Sequence, residues 1–389
     1  AIVVFPAVVE DVSEALRFAR SQDLEIAVKG GGHASIGSSS TDGGLCIDLS
    51  LMREISVDTH KRTIRAGGGA LWSDVYAAGE AHGLACVGGA VDDTGVGGLT
   101  LGGGYGYMSG AHGLVIDNLL EIEFVLADGS ITTASEKNEP DLFWAARGAG
   151  AGLGVATSFL YQAHEQKGPV WGGLLIFSPS QLGPVIEAGN DFINLNEEKG
   201  SLVVSIVSPP PNKSMVILAL VYYNGAESEA RKTFASLLQL EHIADTTGMI
   251  SYPEINKLFS SGTAVHGMRH SMKGSAFTFP LAPSFANLML EELSSFIEKV
   301  PDASSSLIAF EFFPYHKITA VRQSDTAFAN RGEYGNLLCI MGWRDPVHDE
   351  ICRAWARNIS KRAKSHFEST RRDGGENSEK GVGEYFNYD

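Results

Sequence analysis

The first part of the chain alternates amphipathic helices with short apolar strands. Apolar residues recur at helical spacing over residues 11–22, where Asp11 and Glu14 stand at the spacing of a capping box, so we predict a first helix there. We predict a second helix at 70–82, with Gly83 as its C-terminal stop. Alternation of apolar and polar residues predicts short strands in LEIAVK, LCIDLSLM, REISVD and TIRAGG.

A hairpin and a further helix follow. The stretch LEIEFVLADGSITTAS reads as two alternating strands joined by the turn Asp128-Gly129. We then predict a short helix in PDLFWAARG and another strand in VATSFLYQA. Strands and helices are thus mixed irregularly, which is typical of an α+β domain rather than a doubly wound one.

From about residue 166 the glycine content falls and longer strands alternate with longer helices, which indicates a second domain. The predicted strands are WGGLLIF, SLVVSIV, SMVILALVYY, SLIAFEFF and NLLCIMGW. The predicted helices lie near 180–195, 227–240, 283–299 and 346–366. We expect an antiparallel sheet covered by these helices.

Composition excludes several classes of protein. The chain has 389 residues, 44% of them hydrophobic, and no apolar run approaches the length needed to cross a bilayer, so we expect no membrane partner. A formal net charge of −16 without a Lys/Arg block argues against nucleic acid as a partner. The cysteines are widely spaced, which argues against a metal site and favours small buried hydrophobes: Cys46, Cys86, Cys339 and Cys352.

Two glycine-rich segments point to a phosphate-bearing cofactor. Residues 30–32 are three consecutive glycines, and residues 88–106 contain nine, which we interpret as loop backbone that neither a helix nor a central strand would tolerate. Backbone N–H groups without Cβ atoms beside them can hold an anionic diphosphate. The pattern around GVGGLT lacks the third glycine of a dinucleotide fingerprint, and no GK[ST] sequence forms a P-loop, so both of those sites are disfavoured.

The order of motifs identifies a family. The sequences KGGGHASIGSSSTDGGLCIDLS and TGVGGLTLGGGYG, with several shorter motifs, resemble the berberine bridge enzyme-like branch of the vanillyl-alcohol oxidase flavoproteins. The resemblance spans nearly the whole chain, and the shorter motifs are VVFPxxxEDVSEALRFAR, HGL at 82–84, GLxxDNL at 113–119, DLFWAARG at 141–148, TAFANR at 326–331 and YxNY at 385–388. It implies a PCMH-type FAD-binding domain of two α+β subdomains.

The resemblance implies FAD as cofactor, bonded through its 8α-methyl group to His33, the histidine at the end of the GGGH loop. The alternative is a histidine that only satisfies its polar atoms in a turn. Covalent attachment of this kind makes the flavin a stronger two-electron oxidant. The residues assigned to cofactor binding are His33, Lys29, Gly30, Gly31, Gly32, Ser35, Gly37, Gly89, Val91, Thr94, Gly97, Gly98, Thr100, Gly103, Gly154, Val155 and Asn387.

Three positions depart from the family pattern or bear on it. Val91 stands where many relatives carry a second, cysteine tether, so we predict attachment through one residue only. The resemblance implies that Thr94 occupies the position that flanks the flavin on the side from which oxygen approaches, and its Val-like shape favours an oxidase over a dehydrogenase. Gly152 replaces an asparagine of relatives, which removes a polar contact near the cofactor.

The resemblance also supplies candidate catalytic groups. Oxidation of an alcohol or amine carbon needs a base for the O–H or N–H proton. Our choice of base is Tyr385, with Tyr105 as its partner or as a donor that lowers its pKa, while Asn387 holds the flavin or the tail; aromatic packing alone is the alternative for both tyrosines. Glu311 is a further candidate acid or base, although an exposed or salt-bridged strand residue is the simpler interpretation. We interpret His112 as a loop histidine.

The substrate strand indicates the class of substrate. Relatives often carry a Glu or Gln on the strand that ends in Trp, and here that strand is NLLCIMGW. Its inward residues can be drawn only from Leu338, Cys339, Ile340 and Met341, so the usual polar group is absent and the pocket is expected to be apolar. A lipophilic or aromatic substrate fits such a pocket better than a sugar.

These inferences combine into one reading. We predict an FAD-binding domain at 1–165, completed by 368–389, and a substrate-binding domain at 166–367. The expected reaction oxidises a C–O or C–N bond of a small organic substrate and passes the electrons to molecular oxygen, giving hydrogen peroxide. The resemblance implies a place in secondary metabolism. The alternative is a flavin-binding cyclase or pericyclase without net redox turnover. We expect the natural start of the protein upstream of Ala1, and both a secreted and a cytoplasmic location stay open, as do the oligomeric state and the identity of the substrate.

Overall fold

The computed structural model describes residues 2–209, 214–259, 267–371, 381 and 383–388. The chain divides into two compact units, each with its own secondary structure. Unit 1 comprises the described residues of 1–168, 252–261 and 321–329, and unit 2 those of 169–251, 262–320 and 330–389.

This division departs from the predicted domain boundaries in three segments. The main boundary follows Gly168, three residues beyond the expected position. The segments 252–261 and 321–329 belong to unit 1, although they lie in the middle of the predicted substrate domain. The described residues of 368–389 group with unit 2 rather than completing the FAD-binding domain, because helix and tail residues such as Lys364 and Glu384 pair within unit 2.

The first part of unit 1 is a small parallel sheet beside one helix. The strands are β1 (Ile2–Val4), β2 (Ile26–Lys29) and β3 (Leu45–Asp48), in the order β1-β3-β2. Helix α1 (Val9–Ser21) packs its apolar face against β3 in a shared core. The helix begins two residues before the predicted start, because Asp11 lies one turn inside it and accepts a hydrogen bond from the N–H of Val8 at 3.2 Å.

The second part of unit 1 is an antiparallel sheet of five strands in the order β4-β5-β9-β7-β8. The predicted hairpin is confirmed as its edge, with Val125 opposite Ile131 at the turn. The strands are β4 (Ile55–Asp58), β5 (Thr63–Gly67), β7 (Leu119–Val125), β8 (Ile131–Ser135) and β9 (Val155–Gln162), with a separate pair formed by β6 (Leu84–Ala85) and β10 (His164–Glu165).

Short helices complete the secondary structure of unit 1. They are α2 (Trp72–Glu80), α3 (Val96–Leu101), α4 (Ser109–His112), α5 (Pro140–Ala149) and α9 (Tyr252–Ile255). The expectation that no helix occurs in 88–106 is wrong, because α3 forms there in spite of Gly97 and Gly98. Its buried side chains, Val96 and Thr100, supply enough packing to offset the low helix propensity of glycine.

Unit 2 is one antiparallel sheet with helices on one face, as predicted. Its strands follow the order β14-β11-β13-β12-β17-β18-β16, and β15 also pairs with β11. The strand bounds are β11 (Val170–Phe177), β12 (Gly200–Val207), β13 (Val216–Tyr223), β14 (Ala244–Asp245), β15 (Gly248–Ile250), β16 (Arg269–Thr278), β17 (Leu307–Phe312) and β18 (Tyr334–Trp343).

Alternate residues of the central strands pack against the helices in one hydrophobic core. On β17 these are Ile308, Phe310 and Phe312, so the residues between them, including Glu311, lie on the opposite face of the sheet. The helices of unit 2 are α6 (Leu182–Asn194), α7 (Glu227–Thr233), α8 (Ala235–Leu238), α10 (Pro283–Lys299), α11 (His316–Ala320) and α12 (Asp349–Thr370).

Two features of unit 2 were not predicted. Strand β16, RHSMKGSAFT, carries polar residues on both faces and so lacks the alternating signal of a half-buried strand. It is recruited as the edge neighbour of β18 through ten paired positions, from Arg269 opposite Trp343 to Thr278 opposite Tyr334. The helix predicted at 227–240 is divided at Phe234 into α7 and α8.

The described residues also show the state of the cysteines and whether a membrane-spanning helix or a metal site is formed among them. Each of the four cysteines is free and buried, as expected for small apolar residues. Across the described ranges, no helix has both the length and the apolar character that crossing a bilayer requires. Within the same ranges, no group of three or more His, Cys, Asp or Glu side chains is placed to hold a metal ion.

Candidate functional site

Two glycine segments of unit 1 cross with their backbones in contact. A methyl group built on Gly31 would lie 2.6 Å from the Cα of Gly95, and one built on Gly95 would lie 2.8 Å from the Cα of Gly31. Both distances are too short for carbon atoms, so neither position accepts a side chain unless the backbone moves. The segments 30–32 and 95–98, which the sequence presents 60-odd residues apart, therefore meet in one place.

A third glycine run completes this arrangement. The carbonyl oxygen of Gly68 lies 3.4 Å from the Cβ position of Gly30 and 3.4 Å from that of Gly97. Gly68 is held to β9, because its N–H donates to the carbonyl oxygen of Thr157 at 2.8 Å. The sequence pattern predicted only the end of a strand here, although three consecutive glycines could have indicated a part of the same arrangement. We call the segments 30–32, 67–69 and 95–98 the glycine cradle.

The cradle has room beside it. No atom lies within 4 Å of the Cβ position of Gly98, although this residue stands in helix α3, where glycine costs about 0.5–1 kcal/mol relative to alanine. Packing within the chain therefore does not explain the glycine at this position. The residues present fit a dinucleotide, since a diphosphate group binds where backbone N–H groups are not covered by side chains.

His33 lies directly after the first cradle segment. Gly32 has φ of +77°, a left-handed conformation that turns the chain at this point. The imidazole is 39% exposed, and its Nε2 atom lies 3.2 Å from Oδ1 of Asp93, in the loop before the third cradle segment. Asp93 was not predicted as a site residue, because its position beside His33 depends on the crossing of the two glycine segments.

Two predicted cofactor ligands have side chains that are engaged within the protein. The ammonium group of Lys29 forms an ion pair with Asp48 at 2.8 Å. The hydroxyl of Thr100 is fully buried and lies 2.7 Å from both the carbonyl oxygen of Val96 and the hydroxyl of Tyr161. The Thr100 hydroxyl is satisfied by the chain, so any contact of this residue with a cofactor would fall to the backbone, whereas the Lys29 side chain is 42% exposed.

The loop from Gly89 to Thr94 is tied to helix α2. The carbonyl oxygen of Gly89 accepts a hydrogen bond from the hydroxyl of Tyr76 at 2.5 Å. The N–H of Trp72 donates to the carbonyl oxygen of Thr94 at 3.0 Å. The N–H of Thr94 donates to the carbonyl oxygen of Val91 at 3.2 Å. These bonds fix the backbone of the loop that carries Val91 and Thr94.

The remaining predicted ligands lie at several places in unit 1. Gly103 has φ of +117° and packs against the ring of Phe328. Gly154 approaches the backbone of Val125, since a Cβ atom there would lie 2.6 Å from the carbonyl oxygen, and Val155 then begins β9. Ser35 and Gly37 lie in the loop after His33, and Gly37 and Gly152 have no atom within 4 Å of their Cβ positions.

Two aromatic residues near the glycine segments are also placed. The ring of Tyr105 is buried and meets that of Phe328 edge to face, with the centroids 6.2 Å apart. The ring of His112 stacks on that of His164 at 3.6 Å, and burial lowers the pKa of His164 to about 4. His164 Nε2 lies 2.7 Å from Oδ1 of Asn118, so this pair joins a polar network, and His112 ends helix α4 rather than lying in a loop as predicted.

Unit 2 carries a different kind of cluster, on the face of the sheet that its helices leave free. Glu311 on β17 stands opposite Asn336 on β18. The Nδ2 atom of Asn336 donates to Oε2 of Glu311 at 3.2 Å, and the hydroxyl of Tyr388 donates to Oε1 at 2.6 Å. The interpretation of Glu311 as an exposed or salt-bridged residue is wrong: it is 7% exposed and its described partners are neutral.

Burial sets the protonation of this carboxyl group. Loss of solvent raises the pKa of Glu311 to about 7, while the hydrogen bonds from Tyr388 and Asn336 oppose the rise. A carboxyl group with such a pKa exists in both forms at neutral pH and is suited to accept or donate a proton. We call Glu311, Asn336 and Tyr388 the carboxylate cluster.

The terminal motif at 385–388 supplies Tyr388 to the carboxylate cluster and a second tyrosine that packs against it. Tyr385 is 3% exposed, and its ring meets that of Tyr388 edge to face with the centroids 4.6 Å apart. The Nδ2 atom of Asn387 donates to the hydroxyl of Tyr385 at 2.8 Å. We predicted Tyr385 of this motif as the base, whereas the hydroxyl that contacts the buried carboxylate of Glu311 belongs to Tyr388.

The substrate strand β18 presents two faces. Cys339 and Met341 belong to the hydrophobic cores on the helical side. Leu338 and Ile340 alternate with them and share the opposite face with Asn336. The expectation that this strand lacks a polar group is wrong, because Asn336, the first residue of the predicted segment, donates to Glu311 from the face that Leu338 and Ile340 share.

Comparison with known proteins agrees with this geometry. A family profile described as an FAD binding domain matches residues 1–135, which include all three cradle segments. The FAD-linked oxidoreductase pgmH of Aspergillus terreus is 32% identical over 368 residues, covering 92% of this chain and 74% of that protein. The (R)-6-hydroxynicotine oxidase of Paenarthrobacter nicotinovorans is 31% identical over 322 residues, covering 81% and 70%.

A solved structure is similar along nearly the whole chain. The crystal structure of 6-hydroxy-D-nicotine oxidase from Arthrobacter nicotinovorans superimposes with a TM-score of 0.85 at 25% identity. The match covers 99% of this chain and 82% of that one.

Proposed function

Because the chain belongs to the berberine bridge enzyme-like FAD-linked oxidoreductases of the vanillyl-alcohol oxidase superfamily, we propose that it oxidises a C–O or C–N bond of a small apolar or aromatic substrate. FAD is attached through His33 alone, and the electrons pass to molecular oxygen, giving hydrogen peroxide. The observation that carries the proposal is the buried Glu311, held between two neutral donors at a pKa of about 7.

The glycine cradle supports the role of unit 1 in this proposal. The close crossing at Gly31 and Gly95 and the free space beside Gly98 suit the diphosphate of FAD. His33 leaves the cradle at the turn of Gly32 and is exposed enough to reach a bound ring system. Val91 cannot form a second bond to the cofactor, since its side chain is a hydrocarbon. When bound, FAD supplies the acceptor for two electrons.

Glu311 is the proposed proton acceptor. As substrate loses hydride, its hydroxyl or amine proton must leave, and a carboxylate with a pKa near the working pH accepts it efficiently. Tyr388 donates to one carboxylate oxygen and Asn336 to the other, so the two partners hold the group in one orientation. This favours Glu311 over Tyr385 as the base, because a tyrosine would first have to lose its own proton at neutral pH.

Tyr385 and Tyr105 have supporting roles in this proposal. Tyr385 packs against Tyr388 and so keeps the hydroxyl of Tyr388 directed at Glu311. Tyr105 lies in unit 1 with its ring against that of Phe328. Neither tyrosine then needs a lowered pKa, and Asn387 acts on the tail by donating to Tyr385 rather than on the flavin.

The substrate class follows from the residues around the carboxylate. Leu338 and Ile340 on β18 and Ala309 on β17 are apolar and share the sheet face with Glu311. A substrate with a planar or lipophilic body and one ionisable O–H or N–H group matches this surface. The name of the relative 6-hydroxynicotine oxidase, which denotes a hydroxylated aromatic compound, supports the same class. A place in secondary metabolism is part of the proposal.

The cyclase alternative has lost its main support. It rested on the missing carboxylates of the strand NLLCIMGW, and the carboxylate of Glu311 on the neighbouring strand β17 stands opposite Asn336 of that strand. A reaction without net electron transfer would also have no need of oxygen.

A test of the proposal uses the purified yellow protein and a panel of small aromatic alcohols and amines. Under nitrogen, a substrate should bleach the absorbance near 450 nm, and admission of air should restore it with one hydrogen peroxide per substrate. Acid precipitation should leave the colour with the protein, and peptide mapping should place it on His33. Product formation without bleaching would contradict the oxidase and favour a cyclase, whereas colour in the supernatant would contradict only the attachment.

A further inference from the structure

We propose that Asp93 is the positioning residue for covalent attachment of FAD to His33. Its carboxylate accepts the Nε2–H of the imidazole, which leaves the lone pair of Nδ1 free to form the bond to the 8α carbon. This inference rests on the attachment through His33 proposed above. It assigns a role to a residue that neither the sequence pattern nor the glycine cradle explains.

Two observations on Asp93 carry the inference. Its Oδ1 atom lies 3.2 Å from Nε2 of His33, at the outer limit of an N–H···O hydrogen bond. The same oxygen is shielded from solvent and receives no well-aligned hydrogen bond from the described residues. A shielded carboxylate oxygen needs a donor, and the imidazole is the adjacent one, so a small rotation of the exposed His33 ring satisfies it.

The loop makes Asp93 the fixed partner and His33 the adjustable one. On either side of Asp93, the N–H of Asp92 donates to the carbonyl oxygen of Asn256 at 3.2 Å, and the carbonyl oxygen of Thr94 accepts from Trp72. His33 instead follows three glycines and is 39% exposed. An acceptor whose loop backbone is held by hydrogen bonds, beside an exposed ring, is suited to select one tautomer of that ring.

The tautomer decides which nitrogen reacts. A neutral imidazole carries one proton, and a carboxylate that accepts Nε2–H keeps that proton on Nε2. Nδ1 is then the nucleophile. As Nδ1 forms its bond, positive charge develops on the ring, and the carboxylate of Asp93 stabilises this charge through Nε2–H.

The balance of the step is complete with oxygen as oxidant. An N–C bond forms between Nδ1 of His33 and the 8α carbon, one C–H bond of the methyl group breaks, and the imidazole gives up one proton through Nε2 and Asp93. The two electrons of the broken C–H bond enter the ring system and pass to molecular oxygen, which leaves as hydrogen peroxide with the two protons. One attachment therefore consumes one molecule of oxygen.

The test compares four forms of the whole protein: wild type, Asp93→Asn, Asp93→Glu and the matched control Asp92→Asn. Each is purified, incubated in air with excess FAD, and sampled over time by acid precipitation, so that the absorbance retained by the protein measures attached flavin. We expect Asp93→Asn to attach FAD roughly 100-fold more slowly than wild type while still binding it non-covalently. Asp93→Glu should recover part of the rate, and Asp92→Asn should match wild type.

Peptide mapping supplies a readout that a merely structural role would not change. In wild type the flavin should be bonded to Nδ1 of His33, which nuclear magnetic resonance of the isolated flavin peptide distinguishes from Nε2. An Asp93→Asn protein that attaches FAD at the wild-type rate, or a wild-type bond at Nε2, would overturn the inference and leave the attachment itself intact. Wild-type protein that releases all its flavin into acid would overturn the attachment and this role together.

Discussion

The two units of the molecule build their candidate sites by opposite means. In unit 1 the glycine cradle is formed by main chain from which side chains are absent, and the crossing of Gly31 and Gly95 leaves no space for any. In unit 2 the carboxylate cluster is formed by side chains, with Glu311 held by Asn336 and Tyr388 on the free face of a sheet. The first site depends on the path of the backbone, and the second on which residues a strand register places side by side.

This difference matches what each site must recognise. A diphosphate is the same in every bound FAD, and backbone N–H groups suit it whatever the neighbouring residues are. A substrate differs from one enzyme to another, and its recognition and deprotonation need side chains that can be exchanged without altering the fold. Substitutions at either site test this difference between recognition by backbone and recognition by side chains.

The backbone crossing should tolerate no added atom. We expect Gly31→Ala to reduce the free energy of unfolding by roughly 3 kcal/mol or more and to abolish FAD binding, because the new methyl group meets the backbone of Gly95. Thermal unfolding and the absorbance near 450 nm of the purified protein measure both effects. Gly98→Ala is the matched control, since its methyl group enters free space: it should unfold no more easily than wild type and should weaken FAD binding only.

Activity should depend on the carboxylate of Glu311. We expect Glu311→Gln to lower kcat/KM by about 10²–10⁴-fold, because the amide cannot accept a proton, while the flavin stays bound and attached. Steady-state oxygen consumption with a bleaching substrate gives the number. Glu298→Gln, at an exposed position on α10, is the control and should be unchanged. A larger loss from Tyr385→Phe than from Glu311→Gln would identify Tyr385 as the base instead.

The same substitution should make the protein more stable at alkaline pH. The pKa of Glu311 is about 7 in the folded chain and 4.5 as the ordinary value, so the folded chain binds more protons between these limits and loses stability as pH rises through them. Wild type should therefore be weaker at pH 8 than at pH 5 by roughly 3 kcal/mol from this group.

Glu311→Gln removes that dependence, because a neutral amide has no proton to lose. Urea unfolding at pH 5 and pH 8 should show the variant more stable than wild type at pH 8 and nearly equal at pH 5. Equal stability at both pH values would mean that Glu311 is not buried as a proton-binding group.

The hydroxyl of Tyr388 should tune the base. It donates to Glu311 and thereby lowers the pKa of the carboxyl group, so Tyr388→Phe should shift the acidic limb of the pH–rate profile to higher pH. At pH 6 we expect a roughly fivefold loss of kcat/KM relative to wild type, in proportion to one hydrogen bond of about 1 kcal/mol. A loss that is the same at pH 6 and pH 9 would indicate a structural role for the hydroxyl.

Elements with a strong local pattern were predictable. The helix at 283–299 was predicted at its observed bounds, since its apolar spacing and Pro283 at its start are local signals. Strand β16 was not, because its polar residues are accommodated by β18 and by helix α12 rather than by any pattern of their own. Helix α3 was excluded by its glycines and forms through burial of Val96 and Thr100.

The residues of the candidate sites also separate into those predicted by local sequence patterns and those defined by tertiary contacts. Position by position, the amino-acid sequence determined the glycine requirement of the cradle, the histidine that follows it and the apolar strands, because backbone conformation and hydrophobic spacing are properties of neighbouring residues. Only the tertiary structure decided that Asp93 meets His33, that Gly68 joins the cradle, and that Tyr388 and Asn336 hold Glu311. These pairs lie from 25 to 77 residues apart in the chain, and burial, which sets the pKa of Glu311, exists only after the chain has folded.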